Sequence, residues 1–204
     1  AKEGIAHAAL CFIDPGDISI SPTPAYPVYE IGTMFAGGTT HLVTLKEENG
    51  YLVDFSDIPT DVAKKAKTLW INYPNNPTGG IASVSFFDEA VRFCKGFDIA
   101  LLHDAAYTEV TYDGHVAPSV LQADGAMDIA MEFHSLSKTA NMTGWRVGMA
   151  VGNSEMVNAL MRVKSNIDSG LTQANQEMGI AAMDLPTEWL DNNIEVYRKR
   201  RDKV

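Results

Sequence analysis

His134-Ser135-Leu136-Ser137-Lys138-Thr139-Ala140-Asn141-Met142-Thr143-Gly144-Trp145-Arg146 places a lysine between hydroxyl residues, with an arginine eight positions further on. Before it, Met127-Asp128-Ile129-Ala130-Met131-Glu132-Phe133 reads as a sheet strand; after it, Val147-Gly148-Met149-Ala150-Val151 reads as another. A lysine on the loop between two buried strands is placed to be partly desolvated. Desolvation disfavours the charged amine and frees its lone pair, as Schiff-base chemistry with an aldehyde requires. Ser135, Ser137 and Arg146 supply hydroxyl donors and a planar, two-pronged cation suited to a phosphate. An aldehyde and a phosphate on one molecule point to pyridoxal 5'-phosphate. Taken alone, Ser-x-Ser-Lys also fits an ordinary surface lysine, so the neighbouring segments have to decide.

Two of them do. Thr68-Leu69-Trp70-Ile71 is an apolar strand that runs into Asn72-Tyr73-Pro74-Asn75-Asn76-Pro77-Thr78-Gly79-Gly80, whose Pro and Gly residues forbid helix and set a tight loop at the strand's end. Ile99-Ala100-Leu101-Leu102-His103-Asp104-Ala105-Ala106-Tyr107 is a second apolar strand, and it terminates in an aspartate. A carboxylate at the end of a buried strand is costly unless a cation or several donors meet it. The protonated pyridine nitrogen of the same cofactor is such a partner.

The ordered set Tyr26-Pro27-Val28-Tyr29, Asn75-Asn76-Pro77-Thr78-Gly79, Asp104-Ala105-Ala106-Tyr107 and Ser135-Leu136-Ser137-Lys138 through Arg146 resembles the fold-type I, class I/II aminotransferases. Phe133-His134-Ser135-Leu136-Ser137-Lys138 and Lys164-Ser165-Asn166-Ile167-Asp168-Ser169-Gly170 are similar to a subgroup that includes aspartate, alanine and LL-diaminopimelate aminotransferases. The resemblance runs along essentially the whole chain. Four motifs in order at compatible spacings make it specific.

The resemblance implies a role for each matching residue. Lys138 forms the internal aldimine and moves the proton between substrate and cofactor. Asp104 keeps the pyridine nitrogen protonated, Asn76 and Tyr107 bond the phenolic oxygen, and Tyr26 stacks on the ring. Ser135, Ser137 and Arg146 hold the phosphate, joined by the backbone amides of Ala1 and Lys2 at a helix N-terminus. In some relatives the residue matching Asn166 reaches the site of the neighbouring subunit of a homodimer; a helix-ending polar residue is the other reading. Position 140 departs from many relatives, with Ala in place of Tyr; nothing catalytic hangs on it.

Composition agrees with an enzyme domain. With 204 residues, 46% of them hydrophobic, the chain can bury a substantial core, and a formal charge of −10 argues against a nucleic-acid face. No apolar run approaches the roughly 18 residues of a membrane span, and no signal peptide opens the chain, so a cytoplasmic location is expected. Cys11 and Cys94 sit on apolar helical faces, where two buried free thiols are expected.

Strands and helices alternate: helix 3–12, strand 17–21, helix 25–36, strand 40–44, strand 67–72, helix 84–96, strand 98–103, strand 127–133, strand 146–151, helix 154–165, then helical stretches Gln173–Met183 and Thr187–Val204. Ser83 or Ser85 is the expected cap of the helix carrying Phe86 and Phe87. The fold class expected is α/β: a three-layer α/β/α arrangement with a mostly parallel sheet, the large domain of the pyridoxal-phosphate transferases. Residues 1–184 read as the cofactor-binding large domain with its N-terminal part missing. Residues 185–204 read as the start of the helix leading to a missing C-terminal small domain. The chain thus reads as a fragment.

The histidines carry plainer expectations. His103 reads as a packed strand residue, His134 has no defined task, and His7, His41 and His115 show no metal-ligand spacing, so no metal is expected. Trp70, Trp145 and Trp189 read as core. Three functional readings follow. The first is a transaminase acting on an amino acid and a 2-oxo acid. The second is a related enzyme of the same fold, a C–S lyase or eliminase. The third is a cofactor-binding piece without turnover.

Overall fold

The computed structural model describes all of residues 1–204. Six strands form one sheet: β1 (Ile18–Thr23), β2 (Thr39–Thr44), β3 (Ala66–Asn72), β4 (Ala100–Asp104), β5 (Ala130–Ser135) and β6 (Gly148–Gly152). Their order is β2-β1-β3-β4-β5-β6, all pairs parallel except β5 with β6. The helices are α1 (Lys2–Phe12), α2 (Val28–Phe35), α3 (Thr60–Ala63), α4 (Val84–Phe97), α5 (Leu136–Thr139), α6 (Ser154–Ile167), α7 (Gln173–Met183) and α8 (Thr187–Arg201). The expected three-layer α/β architecture is present.

The two faces of the sheet explain why β3, β4 and β5 carry apolar residues on both sides. A strand covered on both sides puts successive residues into opposite cores. Leu69, Ile71 and Leu101 enter the larger core with Phe86, Phe87, Ala90 and Val91 of α4. Trp70, Leu102, Met131 and Phe133 enter the smaller one with Ile5 and Ala8 of α1, Tyr29 of α2 and Leu160 of α6. Each such fully buried side chain contributes about 1.5–3 kcal/mol of transfer free energy. Ser83 caps α4 by accepting from the Phe86 N–H, and Asp98 ends that helix in the left-handed conformation.

Boundaries shift where local chemistry intervenes. α2 starts at Val28 rather than 25, because Tyr26 precedes a proline and is pushed out of the helical region. β5 starts at Ala130, since Ala126–Asp128 forms a 3-10 turn, and it runs on to Ser135. β6 starts at Gly148, because Arg146 is left-handed at φ 59°. Lys138 lies on the single helical turn α5, capped by the Ser135 hydroxyl, and not on an open loop. α8 ends at Arg201, short of the expected Val204.

Two tryptophans depart from the core reading: Trp70 is 1% exposed, but Trp145 is 45% and Trp189 36%. Trp145 stands on a 3-10 turn, and α8, which carries Trp189, has no buried residue. Cys94 is buried as expected, whereas Cys11 is half-buried; both are free. Burial pushes the Cys11 thiol up to about 11, so it stays protonated at neutral pH. No helix is long and apolar enough to cross a membrane.

Candidate active site

The parallel strands deliver their C-terminal ends to one edge of the sheet, where open α/β sheets place their ligands. A cavity of about 400 Å³ opens there. Ala1, Lys2, Tyr26, Asn76, Asp104, Tyr107, Ser135, Ser137, Lys138 and Arg146 all line it, as do Ile5, Asn72, Ala106 and Thr143. Residues spread over 146 positions therefore meet around one space. Asn166 does not: it is exposed near the end of α6, and its Nδ2 donates to the Arg162 carbonyl.

Asp104 sits 95% shielded at the end of β4. Tyr29 Oη donates to its Oδ2 at 2.8 Å, and the Ala106 N–H donates to Oδ1 at 3.3 Å. Burial raises its carboxyl above the ordinary value; the Tyr29 and Ala106 hydrogen bonds act against that rise. No ammonium or guanidinium pairs with it. The charge is thus stabilised only in part, and the side chain suits a ligand cation.

Tyr29 is held by stacking on Trp70, ring centroids 4.8 Å apart, and Tyr26 meets its edge at 5.9 Å. Burial, then the Asp104 charge, raises the Tyr29 hydroxyl far above its usual value, so it remains a donor. The same two causes, in the same order, raise Tyr107. Asn72 ties two strand ends together: its Nδ2 donates to the Asp104 carbonyl at 2.6 Å, and its Oδ1 accepts from the Asn76 N–H at 2.8 Å. Sequence reasoning passed over Tyr29 and Asn72, because an aromatic in a helix and an amide at a strand end look like packing and turn.

Cations share the cavity with Asp104. Lys138 Nζ stands 5.7 Å from the Tyr107 ring centre and makes no ion pair. The Arg146 guanidinium donates to the Thr143 carbonyl at 2.6 Å and is free of carboxylates. Thr143 in turn donates to the Ser137 carbonyl at 3.0 Å, so the arginine is referred back to the lysine turn. The N-terminus of α1 completes this end. A Cβ at Gly148 would collide with the Ala1 backbone and the His134 carbonyl, so only glycine lets α1 approach β6 so closely. First-turn amides of a helix lack intrahelical acceptors and favour an anion.

A second hollow of about 440 Å³ shares Asn76, Tyr107 and Lys138 and extends to Tyr112 and Tyr197. Tyr197 of α8 donates to Asn141, which also donates to Asn193, so α8 is tied to the lysine turn. Elsewhere, Glu3, His7 and Asp168 bring ligand atoms within 4.8 Å of one another, a grouping that sequence spacing does not show because Asp168 arrives from beyond α6. The Lys164 ammonium already bridges its two carboxylates.

A family model, aminotransferase class I and II, matches residues 1–204. The chain belongs to that family. It is 54% identical over 204 residues to the LL-diaminopimelate aminotransferase of Moorella thermoacetica, covering 100% of this chain and 52% of that protein. The LL-diaminopimelate aminotransferase of Aquifex aeolicus is 54% identical over 201 residues, with 98% and 52% covered. Among solved structures, apo-BacF from Bacillus subtilis superposes with a TM-score of 0.96 at 37% identity, covering 99% of this chain and 54% of that one. A probable N-succinyldiaminopimelate aminotransferase from Thermus thermophilus gives 0.93 at 38%, covering 98% and 53%. The chain spans about half the length of the curated relatives it matches.

Proposed function

We propose that this chain is the cofactor-binding part of a pyridoxal 5'-phosphate-dependent aminotransferase that moves an amino group between an amino acid and a 2-oxo acid. One observation carries the reading. A buried carboxylate in no ion pair, Asp104, lines a single cavity of about 400 Å³ together with a lysine and an arginine that are in no ion pair either. That donor set fits a molecule with a cationic ring nitrogen at one end and a phosphate at the other. When bound, the group supplies an aldehyde that captures amines and a ring that accepts electrons.

The chain's own residues then have defined work. Lys138 would hold the cofactor through its Nζ and would carry the proton to and from the substrate α-carbon. Asp104, kept in place by Tyr29, would hold the proton on the ring nitrogen. Asn76 and Tyr107 would donate to the phenolic oxygen, and Tyr26 would cover one face of the ring. Arg146, Ser135, Ser137 and the amides opening α1 bind the phosphate. The hollow toward Tyr112 and Tyr197 adjoins Lys138 and gives an amino acid room to enter.

The relatives' names favour LL-diaminopimelate as the amino donor. The division into a large domain over 1–184 and a connecting helix from 185 is supported by α8, which is held mainly by polar contacts to Asn141 and Asp113. A homodimer is supported by the exposed apolar residues Ile180, Met183 and Trp189, and by Asn166, which is exposed and does not line its own chain's cavity. Two free cysteines suit a reducing cytoplasm.

The deciding experiment is reductive trapping with borohydride in the full-length protein containing this chain. The pyridoxyl group should be recovered on Lys138. Recovery on Lys2, which shares the cavity, or on Lys164 would overturn the assignment. Half-reactions with glutamate, aspartate, alanine and diaminopimelate then identify the donor. Release of pyruvate with ammonia or sulfide would point to elimination instead.

A further inference from the structure

Behind the cavity, on the opposite face of the sheet, lies a carboxylate that the proposed reaction does not use. Glu132 is 1% exposed in the middle of β5, and His103, its register partner on β4, is fully buried. His103 Nδ1 lies 2.9 Å from Glu132 Oε2, and His134 Nε2 lies 2.5 Å from Oε1. Ser119 Oγ and the Val120 N–H also donate to this carboxylate, at 3.0 and 2.8 Å. A carboxylate only accepts, so both facing imidazole nitrogens carry hydrogen.

The other side of each imidazole matters more. His103 Nε2 lies 3.3 Å from the Tyr73 N–H and 3.2 Å from the Tyr73 carbonyl. It finds an acceptor if protonated and a donor if not, so this contact persists in either state. Tyr73 opens the turn that carries Asn75 and Asn76. His134 directly precedes Ser135, whose hydroxyl accepts from the Ser137 N–H and caps the turn that carries Lys138.

We propose that Glu132 is a positioning residue of the reaction centre, fixing the asparagine turn through His103 and the lysine turn through His134. Resting on the aminotransferase reading, the proposal adds a brace that touches neither cofactor nor substrate. A buried charge with four donors is rigid because each lost donor leaves it undersolvated. Placed behind two strand ends, it keeps Asn76 and Lys138 at a fixed separation while the cavity side stays open for a ligand. Misplacement by about 1 Å is enough to cost on the order of a hundredfold in rate.

The test compares Glu132→Gln, His103→Phe and His134→Phe in the full-length protein, first without cofactor, by hydrogen–deuterium exchange. Two pairs of amides report: Asn75 and Asn76 for one turn, Ser137 and Ala140 for the other. Expected are faster exchange at the asparagine turn in His103→Phe, at the lysine turn in His134→Phe, and at both in Glu132→Gln, with β1 and β2 unchanged. In the loaded enzyme, each variant should lower kcat about tenfold or more while KM moves less than about threefold. Uniformly faster exchange across the sheet, or no change at either turn, overturns the proposal. If Glu132→Gln or His103→Phe fails to fold, the part-buried His134→Phe still tests the lysine-turn arm, and an unchanged lysine turn there overturns the proposal. The exchange arm needs no cofactor, so it reads the brace whatever becomes of the transfer reaction.

Discussion

The Tyr29 hydroxyl donates to Asp104 Oδ2 at 2.8 Å across 75 positions of chain, joining α2 to the end of β4. It is the one side-chain hydrogen bond to this carboxylate, and Trp70 holds the phenol in place by stacking. Tyr29→Phe removes the donor while leaving the stack. The cofactor-free protein should lose about 1.5–3 kcal/mol, the usual worth of a hydrogen bond to a charged group. The Asp104 carboxyl should rise further. Urea denaturation near neutral pH checks the stability, and kcat checks the chemistry.

Asp104→Ala should lower kcat by at least about a thousandfold, at the upper end of what one charge-stabilising group contributes. Its carboxylate matters most when charge develops on the ring, so the loss falls on the transition state more than on cofactor affinity. Single-turnover rates with saturating cofactor measure it. Near-normal turnover would exclude the assigned role.

Arg146→Lys should weaken cofactor binding about tenfold, because an ammonium cannot reproduce the two-pronged contact to a phosphate. The same variant should bind pyridoxal, which lacks the phosphate, as well as the parent does. Equal weakening for both ligands would place Arg146 away from the phosphate.

Stability against pH should show two opposing signs. Burial alone would raise the Glu132 carboxyl, but hydrogen bonds from His103 and His134 outweigh it and hold the carboxyl far below its ordinary 4.5. Glu132 therefore stabilises the fold above that value, and the contribution drains away at up to about 1.4 kcal/mol per pH unit below it. Asp104 is raised instead, so its ionisation opposes folding at neutral pH, and that penalty fades as pH falls through its folded-state value. Denaturation of Glu132→Gln across pH 3–6 should show a flatter acid limb than the parent. An unchanged limb would remove Glu132 as its source.

The sequence makes the sheet readable because β3, β4 and β5 are covered on both faces and so are mostly apolar on both. Asp104 stands out for the same reason: a charge ends an apolar run. The rule applies equally to Glu132 within Met131-Glu132-Phe133, and there it leads to two imidazoles, one 29 positions away and one two positions along its own strand. Tyr29 and Asn72 carry no comparable mark, since each owes its task to a partner on another strand or helix. Trp145 and Trp189 mislead because bulk and apolarity say nothing about whether an element has a neighbour to pack on. The helical turn under Lys138 is four residues long, too short for periodicity, and only the Ser135 cap announces it.

β5 and β6 are the one antiparallel pair, and the chain between them returns to its starting point: Ser135 pairs with Gly148, and the Leu136 N–H donates to the Val147 carbonyl at 3.2 Å. Lys138 and Arg146 consequently belong to a single hairpin, while Asp104 stays behind on β4. On the proposed reading, opening that hairpin would withdraw Lys138 and Arg146 in one movement, while Asp104, Asn76, Tyr107, Tyr26 and the start of α1 stayed in place. The two cations are therefore coupled: whatever loosens this short excursion loosens both together.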